Sequence, residues 1–486
     1  MPQEDIVSYR RHLSLSATAA MATFLLPSFL TAQIIFERTY GGPFDDYGHA
    51  VQQTSDRGYI VVGSTDSSGA NASDFYLIRT DTCGDTLWTR TFGGDSNDCG
   101  ESVRQTADGG YIIAGYTSSY GSGGTDVYLV KTDAGGETLW TRTFGGPEDD
   151  LGRSVGQTAD GGYIIAGDYY SPRPYPNDVY LVKTDANGDA LWTKTIGPHG
   201  GCAWGCSVQP TADGGYVVAG YNYRSGNFDV YLIKTDANGD TLWTRTYVDR
   251  WDDYGYSVQP TADGGYVIAG VEVSPVGQTS VYGIKTDADG DTLWTRHWTN
   301  WHDPEGRSVQ PTADGGYIIA GSTGFDDRDV YLIKTDSHGD TLWTRTFGGG
   351  STDCGWSVQP TADGGYVIAG YTESFGAGGT DVYLIKADSL GVAIEEPKTS
   401  PTRAQGLTLT CEPNPCHSSA VLHLTTGPLD HWTTLRIFDA SGRRIWSEPV
   451  RSSSLILHPS SLPAGAYFLR LDAGDLHATT RLVVQR

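Results

Sequence analysis

One stretch, Asp229–Arg245 (DVYLIKTDANGDTLWTR), constrains the fold most, because close copies of it recur along the chain. Val230–Lys234 is a short, partly β-branched run of strand length. Asp236-Ala237-Asn238-Gly239-Asp240 supplies turn chemistry: Asp and Asn tolerate left-handed backbone, and Gly supplies positive φ. Thr241–Thr246 then alternates with period two, so the stretch reads as a β-hairpin. Upstream, Gly214–Gly220 (GGYVVAG) and Cys206–Gln209 read as two more strands, giving four per unit.

Tyr59, Tyr111, Tyr163, Tyr216, Tyr266, Tyr317 and Tyr366 mark the same strand in seven units, 49–53 residues apart. Four-stranded units at that period predict an all-β fold, a seven-bladed β-propeller. The ends of the array predict how the ring closes. Six units carry a fourth strand of the LWTR type, with Trp88, Trp140, Trp192, Trp243, Trp294 and Trp343, whereas the seventh stops at Asp381–Gly391 without one. Ile35–Gly42 (IFERTYGG) matches LWTRTFGG with Phe36 in the Trp place. The N-terminal strand is therefore expected to complete the last blade.

Around this array the chain divides into 1–33, 34–391, 392–407 and 408–486. Residues 1–33 read as a secretory signal: Arg10-Arg11 begin it, Leu13–Ala32 form a moderately apolar core, and small residues suit cleavage near 32–33. No transmembrane segment is expected after cleavage. Residues 392–407 read as a linker. Residues 408–486, with alternating runs such as Thr434–Phe438 and Tyr467–Leu471, read as a small Ig-like β-sandwich. The net charge is −25, with zero over 1–33 and +3 over 397–486, so 34–396 carries −28. Such a surface excludes nucleic acid as a partner, because phosphate neutralisation needs Lys and Arg. It is compatible with cations, basic partners or neutral glycans.

The last domain resembles a known family. Pro413-Asn414-Pro415, Ile437–Arg443 (IFDASGR), Leu462–Arg470 (LPAGAYFLR) and Arg481–Val484 are similar, in that order, to the type A C-terminal sorting domain of the type IX (Por) secretion system. The resemblance implies a Bacteroidetes-like bacterium, engagement of the type IX machinery through 408–486, and a secreted or outer-membrane surface-attached protein. The blade repeat, YLIKTDxxGD with LWTR, resembles the tryptophan-bearing repeat of quinoprotein (PQQ-type) propellers. The ligands of a quinone site are not found here, so the repeat Trp residues are expected to be wedges between blades.

Antiparallel alternation puts the TADGGY and TDxxGD turns on one face, and the loops between second and third strands and between blades on the other. The second set varies and is the expected binding face. Five Trp lie there or at the start of the following strand: Trp204, Trp251, Trp298, Trp301 and Trp356. Asp252, Asp253, His302 and Asp303 stand beside them. Aromatic rings next to carboxylates suit sugars, which stack a C–H face on a ring and offer hydroxyls to acids. The expected function is binding of glycan or protein outside the cell. The alternatives are a glycan-active, endoglucanase-like hydrolase using loop carboxylates, and a purely structural surface or adhesion role. The recurring DD-x-G motif also reads as loop structure, Asp capping its own turn. In Asp287-x-Asp289-x-Asp291 the spacing matches the first ligands of a calcium loop, without the Gly and distal Glu that complete one. A hairpin turn is expected there, with weak calcium binding as the alternative. No metal motif is found: the pairs Cys202/Cys206 and Cys411/Cys416 lack a second CxxC or HxxxH, and are read as local disulfides or free thiols.

Overall fold

The computed structural model describes residues 35–391, apart from 68–71, 172–176, 199–200, 225, 301 and 326, together with seven strands and residues 462–463 between 408 and 484. The expected signal (1–33) and linker (392–407), and Trp301, lie outside the described residues.

Residues 35–391 form seven four-stranded antiparallel sheets and contain no helix among the described residues. Six sheets are consecutive in sequence, such as Cys202–Pro210, Tyr216–Arg224, Asn227–Thr235 and Thr241–Tyr247. The seventh takes its fourth strand from the other end of the chain: Phe36–Tyr40 pairs with Asp381–Ala387, from Phe36↔Lys386 to Tyr40↔Val382. The first and last blades also bond directly, Asp46 N–H donating to Thr380 O at 2.7 Å. This is a seven-bladed β-propeller closed by its N-terminal strand.

The repeat motifs are interfaces between blades. Each fourth-strand Trp meets the anchor Tyr of the next blade, from Trp88–Tyr111 to Trp343–Tyr366, with ring centroids 5.8–6.1 Å apart. Phe36 meets Tyr59 in the same way at 5.8 Å. Such aromatic pairs contribute roughly 0.5–1.5 kcal/mol each beyond the area they bury. The Trp also packs on the turn glycine of the next blade. Gly239, at φ 75°, lies so close under Trp192 that a side chain there would strike the indole. Within each blade a buried third-strand Lys reaches the Asp of the TADGG turn, as in Lys131–Asp108, Lys234–Asp213 and Lys285–Asp263, at 2.7–2.9 Å. The first blade uses Arg79 and Asp56.

Beyond residue 407, Thr408–Glu412, Ala420–Thr425 and Ser454–Leu457 form one antiparallel sheet. Arg444–Pro449, Thr434–Asp439, Gly465–Ala473 and Leu476–Val484 form another, in that order. Leu435 and Ile437, and Tyr467 and Leu469, are buried at alternate positions, giving this sheet an inward face.

Candidate functional site

Each innermost strand carries the pattern Gly-x-Ser-Val, with Ala50 replacing Ser in the first blade. The pairing with the second strand skips one residue at x in all seven blades, between Gly48/Ala50, Gly205/Ser207, Gly355/Ser357 and their equivalents. A β-bulge of this kind re-aims one side chain. Here it turns residue x into the central channel. The seven bulge residues are His49, Glu101, Arg153, Cys206, Tyr256, Arg307 and Trp356, and all line a cavity of about 350 Å³.

These residues form a belt. The Arg307 guanidinium lies 4.5 Å from the Tyr256 ring centroid and 5.2 Å from that of Trp356. The Trp356 ring stands 5.2 Å from His49. His49 Nδ1 is 3.9 Å from Glu101 Oε2, and Glu101 Oε1 is 3.5 Å from Arg153. Arg153 also pairs with the buried Asp168 at 3.2 Å. Cys206 and Trp204 continue the wall, and Trp204 stacks on Tyr221 at 5.0 Å and 19°. One arc of the cavity is therefore aromatic and another charged. Three arginines, Arg104, Arg153 and Arg307, line it although the propeller as a whole is strongly acidic.

Below the belt, the motif serines join the blades. The Oγ of Ser102, Ser154, Ser207, Ser257, Ser308 and Ser357 each accepts the N–H of a Val in the following blade at 3.2–3.3 Å. The belt is thus mounted on six hydrogen-bonded junctions, Ala50 leaving the one between the first and second blades without this bond. Burial pushes the Cys206 thiol up to about 12, which holds it as the unreactive thiol. Burial alone would lower His49, but Cys99 and Glu101 beside it raise it to about 10. Burial raises Asp168 against the opposing pull of Arg153.

The structure divides the residues expected to bind ligand. Trp204 and Trp356 reach the cavity. Trp251 is half-buried in the loop before the fifth blade, and its carbonyl accepts the Asn227 amide at 3.4 Å. Asp252 accepts Phe228 N–H at 2.9 Å, as Asp45 accepts Thr380 N–H and Asp149 accepts Thr125 N–H. That acid is a strap between blades. The second acid caps its own turn: Asp46, Asp98, Asp150 and Asp353 accept from the N–H of Gly42, Gly94, Gly146 and Gly349. Asp253 is the exception, fully buried with neither oxygen hydrogen-bonded. His302 is exposed, 6.0 Å from Phe325, and Asp303 takes a left-handed φ of 47°.

One reading needs correction, and one left open is decided. Trp298 is not in a loop of the variable face. It ends the fourth strand Thr292–Trp298 and packs into the blade, its indole N–H donating to Gly339 O at 3.2 Å. Cys202 and Cys206 are free thiols on one strand, where a four-residue separation spans about 13 Å, beyond disulfide reach. Cys416 lies outside the described residues. In the turn considered for calcium, Asp287 Oδ1 accepts the N–H of Asp289 and of Asp291, while Asp291 faces Arg245.

Of the seven belt residues, only Trp356 stood among the candidates drawn from the variable loops. The belt's signal was nonetheless present: within G-x-S-V, which changes only at Ala50 from blade to blade, x is His, Glu, Arg, Cys, Tyr, Arg and Trp.

The C-terminal segment decides the protein's destination. Residues 413–485 match the family described as secretion system C-terminal sorting domain. This chain carries a type IX sorting domain. The sorting domain directs it through the type IX machinery to a secreted or surface-attached location. The chain is also 29% identical over 176 residues to the regulatory protein FlaEY of Caulobacter vibrioides, covering 30% of this chain and 18% of that protein. The chain thus spans less than a fifth of that relative. Among solved structures it is similar to PorZ, a surface component of the type IX secretion system of Porphyromonas gingivalis, at 12% identity and a TM-score of 0.43, covering 92% of this chain and 60% of that one. It is likewise similar to a Dyadobacter fermentans protein of unknown function, at 13% identity and a TM-score of 0.41, covering 59% and 93%.

Proposed function

We propose that the propeller is an exported binding protein whose central channel takes a small polar ligand with a flat apolar face, such as one sugar unit of a glycan. The observation that carries this reading is the belt. Inner strands that share the G-x-S-V pattern change residue from blade to blade at the bulge position, which is aimed into the channel. A cavity of about 350 Å³ has the size of a small-molecule site, and too little room for a protein segment larger than a side chain. Trp204, Tyr256 and Trp356 offer rings for stacking, and Arg153, Arg307 and His49 offer donors.

Binding is favoured over hydrolysis by what the channel carboxylates touch. Glu101 and Asp168, which line the cavity, are both paired with Arg153, and Glu305 behind Arg307 is paired with Arg307 and Arg328. An acid and a base free to act on a glycosidic bond are not presented by these three.

The test is an oligosaccharide binding and turnover panel on the purified chain, with Trp356→Ala and Trp204→Ala beside Trp251→Ala. Loss of about one stacking contact, near 1 kcal/mol, weakens binding roughly fivefold in the two channel variants and leaves Trp251→Ala unchanged. Binding that survives both channel changes and fails in Trp251→Ala would move the site to the loops. Released product would restore the hydrolase.

A further inference from the structure

Where the first and second blades meet, the channel residues His49 and Glu101 and the buried Cys99 behind them bring together three metal-ligand types. Their donor atoms lie within 4.8 Å of one another, and no other group of three His, Cys, Asp or Glu converges so closely among the described residues. Nδ1 of His49 is 3.5 Å from Sγ of Cys99 and 3.9 Å from Oε2 of Glu101. A tetrahedral ion held at the usual zinc–sulfur and zinc–nitrogen distances separates those two donors by about 3.6 Å. The His–Cys spacing already has that value, and the carboxylate oxygen, 3.9 Å from Nδ1, must close to about 3.4 Å.

The repeat supplies an internal control. The matching trio between the second and third blades is Glu101, Leu151 and Arg153; between the sixth and seventh it is Arg307, Cys354 and Trp356. Only the first junction combines three donors. The surroundings also hold them in place. Arg153 takes Oε1 of Glu101 and leaves Oε2 toward His49. The His49 ring lies between Trp356 and Tyr47. Partners of this kind orient ligands in metal sites.

We propose that His49, Cys99 and Glu101 bind one zinc-class divalent ion in the channel wall, with its fourth coordination position open to the cavity. The thiolate and imidazole select a borderline-soft ion over calcium or magnesium. His49 and Glu101 both line the cavity, so the ion would face whatever enters it. Without metal, Nδ1–H of His49 donates to Gly100 O at 3.0 Å, and the ion replaces that proton and the Cys99 thiol proton. The site stands on its own donors and does not depend on the identity of the channel ligand.

The experiment is cobalt(II) and zinc(II) titration of the full chain after chelator treatment, read by elemental analysis and by the thiolate-to-cobalt charge-transfer band in the near ultraviolet. One equivalent and the band are expected in the wild type and in Cys354→Ser, a cysteine at the matching place of the last blade. Cys99→Ser loses the band, and His49→Gln weakens retention by about tenfold or more. Circular dichroism of each variant shows whether it is folded, and the wild-type titration decides even where a variant is not. No band and no retained equivalent in the wild type would overturn the proposal, as would a band that persists in Cys99→Ser.

Discussion

Trp298 covers Gly283 so closely that a Cβ at 283 would strike the indole. The other six blades place Leu at this third-strand position, and Phe, Ile or Tyr at the end of the fourth strand. The fifth blade has exchanged a medium pair for a large one and a small one, keeping the volume between them.

That exchange predicts coupled stability effects. Trp298→Ala leaves a void over Gly283 and costs about 3 kcal/mol, seen as a lower unfolding midpoint in urea. Gly283→Leu alone overpacks the same space and costs about 1–3 kcal/mol. Combining Gly283→Leu with Trp298→Phe rebuilds the pairing of the other blades and recovers most of the loss. A double variant no better than the sum of its parts would refute this.

Asp253 predicts a sensitivity to alkali. Its carboxyl is buried without a hydrogen bond, with Glu272, Asp249, Asp229 and Asp252 also opposing its charge, and its pKa is raised to about 8. A folded-state pKa above the unfolded one means that folding takes up a proton. The resulting stability is full below the unfolded pKa and is lost as pH rises through about 8. Asp253→Asn should therefore raise the thermal midpoint at pH 9 more than at pH 5. Equal shifts at both pH values would contradict the assignment.

The Lys–Asp pairs act in the opposite direction. Hydrogen bonds from Lys and Thr and from a Gly N–H outweigh the effect of burial, and hold Asp108, Asp160, Asp213, Asp263 and Asp314 at about 2. Depressed carboxyl pKa values give stability that is present above the unfolded value near 4 and lost as pH falls toward 2. Because the feature repeats around the ring, acid unfolding should be steep in that interval. Asp213→Asn should lower the midpoint at pH 6 and make no difference at pH 2, measured by circular dichroism.

Closure by Phe36–Tyr40 predicts the effect of removing it. A chain beginning at residue 42 leaves Asp381–Ala387 as an open sheet edge beside an unfilled wedge position at Phe36. Such an edge recruits strands from other chains. Light scattering should show self-association, and the thermal midpoint should fall. A monomer of unchanged midpoint would show that closure contributes little.

Most of the architecture was legible because each unit is specified by near neighbours in sequence. Turn residues, period-two alternation and a wedge Trp recur at a fixed spacing, so unit count and closure follow from residues such as Tyr216, Trp243 and Phe36. The loop acids were also partly legible, since the recurrence of DD-x-G already pointed to structure, as the bonds of Asp252 and Asp46 bear out. Trp298 misled because its partner Gly283 lies fifteen residues away on another strand.

By itself, the sequence determined a closed seven-bladed ring and a sorting domain, since both rest on local patterns that repeat or match in order. The channel was decided by tertiary structure. A β-bulge chose which residue of each inner strand turned inward. Ring closure then set His49 beside Trp356, although 307 positions separate them in the chain. Spatial neighbours of that kind exist only once every intervening blade has contributed its angle to the ring.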